Sequence, residues 1–254
     1  MGDLISDEEI KDNIKTIVTG DGFPYGYKKI NATLQDDYNL VINHKKTYRL
    51  CKELDVLRPQ RKTYPNRPRK LAKREKVTAS NQLWEMDLKY GYIDGLDRFF
   101  FQISLIDVFD RMVIDYHLGL SAKAKDACAV VTRALQKRGL APGMEMPVIR
   151  TDNGPQFTAK VFEKTCDQFQ LTHQKIPVKT PNMNAHIESF HAILEDECYR
   201  RNEFSSFLDV YRLVSDYMDY YNNRRRHGSL HYMAPARYYQ AVLGLEVEAQ
   251  RLVA

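Results

Sequence analysis

Cysteine is scarce in this chain of 254 residues, which carries only Cys51, Cys128, Cys166 and Cys198. The four lie far apart and form no C-x-x-C pair, which argues against a zinc site or a disulfide framework and points to a reducing cytoplasm. Long apolar runs are missing too. None approaches the roughly 18 residues that cross a bilayer, so no membrane partner is expected. The opening residues, MGDLISDEEIKDN, are acidic and lack the basic-then-apolar order of a secretory signal. No internal repeat is present. What remains is an ordinary globular composition, 43% hydrophobic and 28% charged, long enough for one medium domain and a small one.

The net charge of +5 is unevenly spread. Between His44 and Lys76 stand thirteen Lys or Arg against three acids, a local excess of +10, while the rest of the chain is net acidic. A basic segment of that density is the footprint of a polyanion partner, although a solvated basic linker would look the same.

Three regions follow one another. Residues 1–57 read as short helices. Ser6 with Glu9 forms a capping box ahead of the apolar stripe Ile10, Ile14, Ile17 and Val18. Gly20, Gly22 and Pro24 break the chain, and a second helix is expected over 28–38. Asn43 caps a third, from His44 to Leu54, with Tyr48, Cys51 and Leu54 inward and Lys45, Lys46, Arg49 and Lys52 outward. Two short helices, a tight turn and a basic last helix suggest a helix-turn-helix. Residues 58–80, with Pro59, Pro65 and Pro68, read as an extended basic linker. From residue 81 the pattern becomes strand-like: 83–92, 98–108 and 111–118 form an antiparallel meander. Helices are then expected at 123–138, 157–168 and 183–199, with short strands at 146–150 and 171–176. The order βββαβαβα is that of a ribonuclease-H-like α/β core, a mixed five-stranded sheet between helices, here spanning 81–240 before a tail of 241–254.

Three acids stand out in that order. Asp87 lies in the first strand, Asp152 directly after the fourth, and Glu188 in the helix 183–199. Singly each has a plain explanation: a solvent-facing strand residue, an Asx turn at Asp152-Asn153-Gly154, a helical surface residue. Together, the inferred fold brings the first and fourth strands side by side with the last helix across their ends. Carboxylates so gathered suit Mg²⁺ or Mn²⁺, which take hard oxygen ligands. Two such ions activate an attacking oxygen and stabilise a leaving one without a covalent enzyme intermediate.

The segments around these acids resemble the D,D(35)E core of retroviral integrases and bacterial insertion-sequence transposases, with 35 residues between Asp152 and Glu188. More narrowly, the chain resembles the second-frame product of the insertion-sequence-three family. The matching motifs are Trp84–Asp87, Ile106-Asp107-Val108-Phe109-Asp110-Arg111, Asp152–Phe157, Glu188–Phe190, and Tyr221-Asn222 with Arg225, His227 and Leu230. The stretches Tyr25–Ile30 and Asn43–Leu50 resemble the helical module that precedes such cores. The resemblance implies nicking and joining of DNA by Asp87, Asp152 and Glu188 with two bound metal ions, Mg²⁺ or Mn²⁺. It further implies double-stranded element ends and target DNA as partners, a homo-oligomer on that DNA, a first-frame partner, and a bacterial cytoplasmic setting at the nucleoid. The chain departs from the pattern at Arg226, where the family has Pro, at His231, where it has Gly, and in Thr180–His186, which lacks Trp-Asp-Asn. These departures bear on DNA contacts rather than on metal ligation.

Candidate DNA contacts are Lys45, Lys46, Arg49 and Lys52, then Lys179, Asn182 and Asn184, and finally Arg224, Arg225 and His227. Tyr217, Tyr220 and Tyr221 serve equally well for packing or for stacking on bases. Asp107 is the rival carboxylate, assigned to a structural role beside Arg111. His186 and His191 flank Glu188, and Glu195 reads as solvated. The competing functions are a DNA-end-binding regulator without catalysis and a ribonuclease-H-type nuclease.

Overall fold

The computed structural model describes residues 4–59, 76–177 and 181–244. The chain divides into two compact units, residues 1–68 with 223–254, and residues 69–222. Most of the expected linker, Lys179 and the last ten residues lie outside the described residues.

The first unit begins with three helices, α1 (Asp7–Thr19), α2 (Tyr27–Asp36) and α3 (His44–Glu53). Ser6 Oγ accepts the Glu9 N–H at 3.2 Å, and three acids in the first turn of α1 face the positive end of its dipole. Ile10, Ile14 and Ile17 are buried against Ile30, Leu34, Leu50 and Cys51. Each such side chain contributes roughly 1.5–3 kcal/mol. Asn43 caps α3 by accepting the Lys46 N–H at 2.9 Å. The buried face of α3 is Thr47, Leu50 and Cys51 rather than the expected Tyr48. Positions 47, 50, 51 and 54 make the 3.6-residue stripe, which leaves Tyr48 one step off it. Tyr48 is exposed and meets Tyr27 edge-on at 5.2 Å. Thr47 is instead inward, donating to Asn31 Oδ1 at 2.7 Å.

Residues 223–244 belong to this unit, although the sequence places them in the core region. They include α9 (Pro235–Leu243). The Arg226 N–H donates to Tyr25 Oη at 2.7 Å, and its guanidinium pairs with Asp36 at 2.5 Å and Asp37 at 2.6 Å.

The second unit holds β1 (Leu83–Ile93), β2 (Arg98–Asp107), β3 (Val113–Gly119), β4 (Val148–Thr151) and β5 (Thr172–Lys175) in one sheet of order β3-β2-β1-β4-β5. The β1–β2 and β2–β3 pairs are antiparallel, and β1–β4 and β4–β5 are parallel. Strand β3 starts later than expected because Arg111 takes a left-handed φ of 63° in the preceding turn. On one sheet face Trp84, Met86, Ile103 and Leu105 pack on α4 (Ala124–Arg138) through Ala127, Val130, Val131 and Leu135. The expected helix 157–168 is two pieces, α5 (Pro155–Thr158) and α6 (Lys160–Gln168), parted by the extended Ala159. On the other face α7 (Ala185–Glu197) lies against β1 and β2, followed by α8 (Phe207–Asn223). Strand alternation accounts for the division: Trp84, Met86 and Leu88 of β1 enter the core with α4, and Glu85, Asp87 and Lys89 turn toward α7.

Candidate active site

Strands β1 and β4 are parallel neighbours whose last shared rung pairs Met86 with Thr151. Asp87 and Asp152 each follow that rung: Asp87 lies within β1, paired with Ser104 of β2, and Asp152 comes directly after the end of β4. The Asx turn expected at Asp152 is present, with its Oδ1 accepting the Gly154 N–H at 2.9 Å. Asn153 ties the turn down by donating to the Ile176 carbonyl at 2.9 Å.

Glu188 projects from the first turns of α7, exposed, above the same sheet face. One turn later His191 Nδ1 lies 3.5 Å from Asp87 Oδ2. Partial burial holds the Asp152 carboxyl above its ordinary range, and the negative charge of Asp87 adds to this while the Gly154 N–H opposes it. Glu188 is raised by the same two causes, burial first and Asp87 second. Asp87 therefore acts on both other acids, and the three share one electrostatic field.

Among the described residues no three His, Cys, Asp or Glu side chains are arranged to hold a metal ion together. The donor set fits a hard divalent cation by its chemistry rather than as a finished cage. All three groups are oxygen donors, and two are raised by burial first and by the charge of the third second, a repulsion that a cation relieves.

Asp107, the rival acid, is fully committed elsewhere. Its carboxylate accepts N–H groups of Asn81 at 2.7 Å, Phe109 at 2.7 Å and Asp110 at 3.2 Å, and the Trp84 indole at 3.1 Å. Glu195 is not simply solvated, for it pairs with Lys89 at 2.7 Å and Arg200 at 3.3 Å. His186 meets Arg111 through its Nδ1. Tyr217, Tyr220 and Tyr221 are buried, so packing accounts for all three.

The candidate DNA contacts fall into different settings. Lys45 and Lys52 are exposed on α3, whereas Lys46 and Arg49 both pair with Asp7, at 2.8 and 2.6 Å. Arg224 pairs with Asp21 at 3.4 Å. Arg225 and His227 are 5% and 8% exposed, which corrects their reading as surface contacts: the turn after α8 folds them inward, toward one another. Arg226 is an internal tie, paired with Asp36 and Asp37. Asn184 is buried, the Asn182 side chain is outside the described residues, and so is Lys179.

Two residues near the acids escaped the sequence reading, Glu85 and Arg150, which are 1% and 6% exposed. Glu85 Oε2 accepts the N–H groups of His186 and Ile187, both at 2.9 Å. The available signal was parity: each stands two residues before a candidate acid and so shares its sheet face.

The chain matches integrase core domain models over residues 77–181 and 170–235, and an HTH-like domain model over 6–64. It is 31% identical over 220 residues to the 39.2 kDa protein of insertion element IS476 of Xanthomonas euvesicatoria, covering 84% of this chain and 60% of that protein. It is 26% identical to the transposase of insertion sequence element IS904 of Lactococcus lactis, over 67% of this chain and 66% of that one. A chain of the simian T-cell lymphotropic virus intasome, solved with PP2A regulatory subunit B56 gamma, superposes with a TM-score of 0.55 at 14% identity. That match covers 89% of this chain and 74% of the other, and it speaks to the fold alone. The chain thus carries an HTH-like region ahead of an integrase core, and its homologues along most of its length are insertion-sequence transposases of the IS3 group.

Proposed function

We propose that the chain is a DNA transposase that nicks element ends and transfers the resulting 3′-hydroxyl strand, with Asp87, Asp152 and Glu188 as the catalytic, metal-holding acids. The observation that carries this reading is the shared rung of β1 and β4, which sets Asp87 beside Asp152, together with the effect of Asp87 on both other carboxyls. Mg²⁺ or Mn²⁺ bound by these groups, as one ion or two, supplies activation of the attacking oxygen and neutralises charge on the leaving oxygen. The chain's own part is positional. Asp87 rides on β1, Asp152 on the turn directly after β4 and Glu188 on a helix, and the Gly154 N–H holds one oxygen of Asp152 in that turn. His191 stands where it can hold Asp87 in orientation.

Double-stranded DNA is the substrate class, as element ends and as target. Lys45 and Lys52 on α3 are the exposed cations best placed for backbone phosphates, with Lys46, Arg49 and Arg224 reaching DNA by exchanging their present carboxylate partners. A homo-oligomer on DNA and a first-frame product as partner complete the reading.

The test uses purified full chain, labelled duplexes carrying the ends of its element, and Mg²⁺ or Mn²⁺. Nicked and joined products are expected, needing metal and disappearing in Asp152→Asn. Product that persists in Asp152→Asn overturns the assignment of the acids. Duplex binding by the wild type with no product under any metal favours a DNA-end-binding regulator instead.

A further inference from the structure

We infer that Glu85 and Arg150 form a buried clamp that seats the first turn of α7 and so sets where Glu188 stands relative to Asp87 and Asp152. The inference rests on the proposed assignment of those three acids. Glu85 and Arg150 are register partners across the parallel β1–β4 pair. Each precedes an acid by two residues, so both project from the sheet face that carries Asp87 and Asp152.

Three of their hydrogen bonds converge on the start of α7. Glu85 Oε2 accepts the His186 and Ile187 N–H groups at 2.9 Å each. Those amides belong to the first turn of the helix, where no preceding carbonyl can serve them. The carboxylate also meets the positive end of the helix dipole. Arg150 works just outside the helix: its Nη1 donates to the Met183 carbonyl at 3.0 Å, and its Nε to Gln174 Oε1 on β5 at 2.8 Å. The same Nη1 lies 3.8 Å from Glu85 Oε1. Arg111 adds a third hold through its contact with His186.

A charged pair in such a place is a costly way to pack a helix on a sheet. An apolar pair of similar volume would fill the space without the desolvation penalty. What the charges supply, and an apolar pair would not, is a defined seat for particular N–H and C=O groups. Glu188 follows Ile187 directly, so any sliding of that turn carries its carboxylate away from the two acids on the strands. Glu85 and Arg150 are therefore positioning residues.

The test uses the full chain without DNA, with Mn²⁺ alone as the probe. Mn²⁺ affinity is read from the paramagnetic resonance of the free ion, and amide hydrogen exchange is followed in the same samples. In Glu85→Leu, exchange is expected to quicken at His186 and Ile187 while β2 amides keep their protection. Mn²⁺ affinity should fall roughly 10–100-fold, the usual cost of losing a partner that orients a metal ligand. Glu85→Gln keeps an oxygen able to accept both N–H groups, and should stay within about threefold of wild type. A folded Glu85→Leu with wild-type Mn²⁺ affinity overturns the clamp, because a merely structural seat would lower stability alone. If Glu85→Leu loses its far-ultraviolet dichroism, Arg150→Met carries the test, and native structure with wild-type Mn²⁺ affinity overturns the clamp there. Asp152→Asn separates the two levels. Loss of Mn²⁺ in Asp152→Asn beside unchanged binding in Glu85→Leu refutes the clamp only, whereas wild-type binding in Asp152→Asn refutes the acid assignment and the clamp with it.

Discussion

The indole of Trp84 donates its N–H to Asp107 Oδ2 at 3.1 Å, deep in the second unit where both residues are fully buried. This bond ties the start of β1 to the turn between β2 and β3. Two residues that resemble family motifs are thus one structural unit, and the rival to the three candidate acids is spent on holding backbone.

Trp84→Phe removes the donor and leaves a buried acceptor short of one partner, beside a small cavity. Losses of this kind cost about 2–4 kcal/mol. The urea midpoint should fall accordingly while the slope stays constant, followed by far-ultraviolet dichroism because Trp84 is the only tryptophan.

Burial, aided by the negative charge of Asp110, pushes the Asp107 carboxyl up to about 6. A carboxyl raised on folding binds its proton more tightly in the native state. Its contribution is therefore fully present below the unfolded value, near 3.9, and is lost as pH rises through about 6. The stability of Asp107→Asn relative to wild type should accordingly improve as pH rises from about 4 to 7. A constant difference between the two unfolding curves across that range would contradict the shift.

Gly95 sits in the turn between β1 and β2, where a Cβ would meet the Ser205 carbonyl oxygen at 2.1 Å and its carbon at 2.8 Å. The obstacle is backbone and cannot rotate away. Gly95→Ala should destabilise the second unit by about 1–3 kcal/mol, the usual cost of overpacking, readable as a lower melting temperature.

Lys52→Ala and Arg226→Gln should separate DNA contact from internal support. Loss of an exposed phosphate contact weakens duplex binding across sequences and lowers the slope of log affinity against log salt by roughly 1. Lys52→Ala is expected to do this. Arg226→Gln should leave the slope unchanged and instead lower thermal stability, since it breaks the pairs with Asp36 and Asp37. An unchanged slope in Lys52→Ala would remove α3 from the DNA-contacting surface.

Much of the architecture was legible in the chain itself. Ser6 and Asn43 mark helix starts through their side-chain oxygens, the Ile10-Ile14-Ile17 stripe has the helical period, and the aromatic and β-branched runs after residue 81 alternate as strands do. Local periodicity and capping chemistry act within a few residues, so sequence alone decides them. The proposal of Asp87, Asp152 and Glu188 was likewise drawn from the chain itself, from motif spacing and strand order. Tertiary structure decided the rest. Only the β1–β4 register pairs Glu85 with Arg150 and sets both beneath α7. Only folding buried Arg225 and His227, read from the sequence as DNA contacts, and tied Arg226 to Asp36 and Asp37. Charge advertises itself along a chain, but whether it faces water, DNA or a partner inside the protein depends on contacts between residues far apart in sequence. The Arg226 partners lie 189 and 190 positions away, beyond the reach of any local pattern.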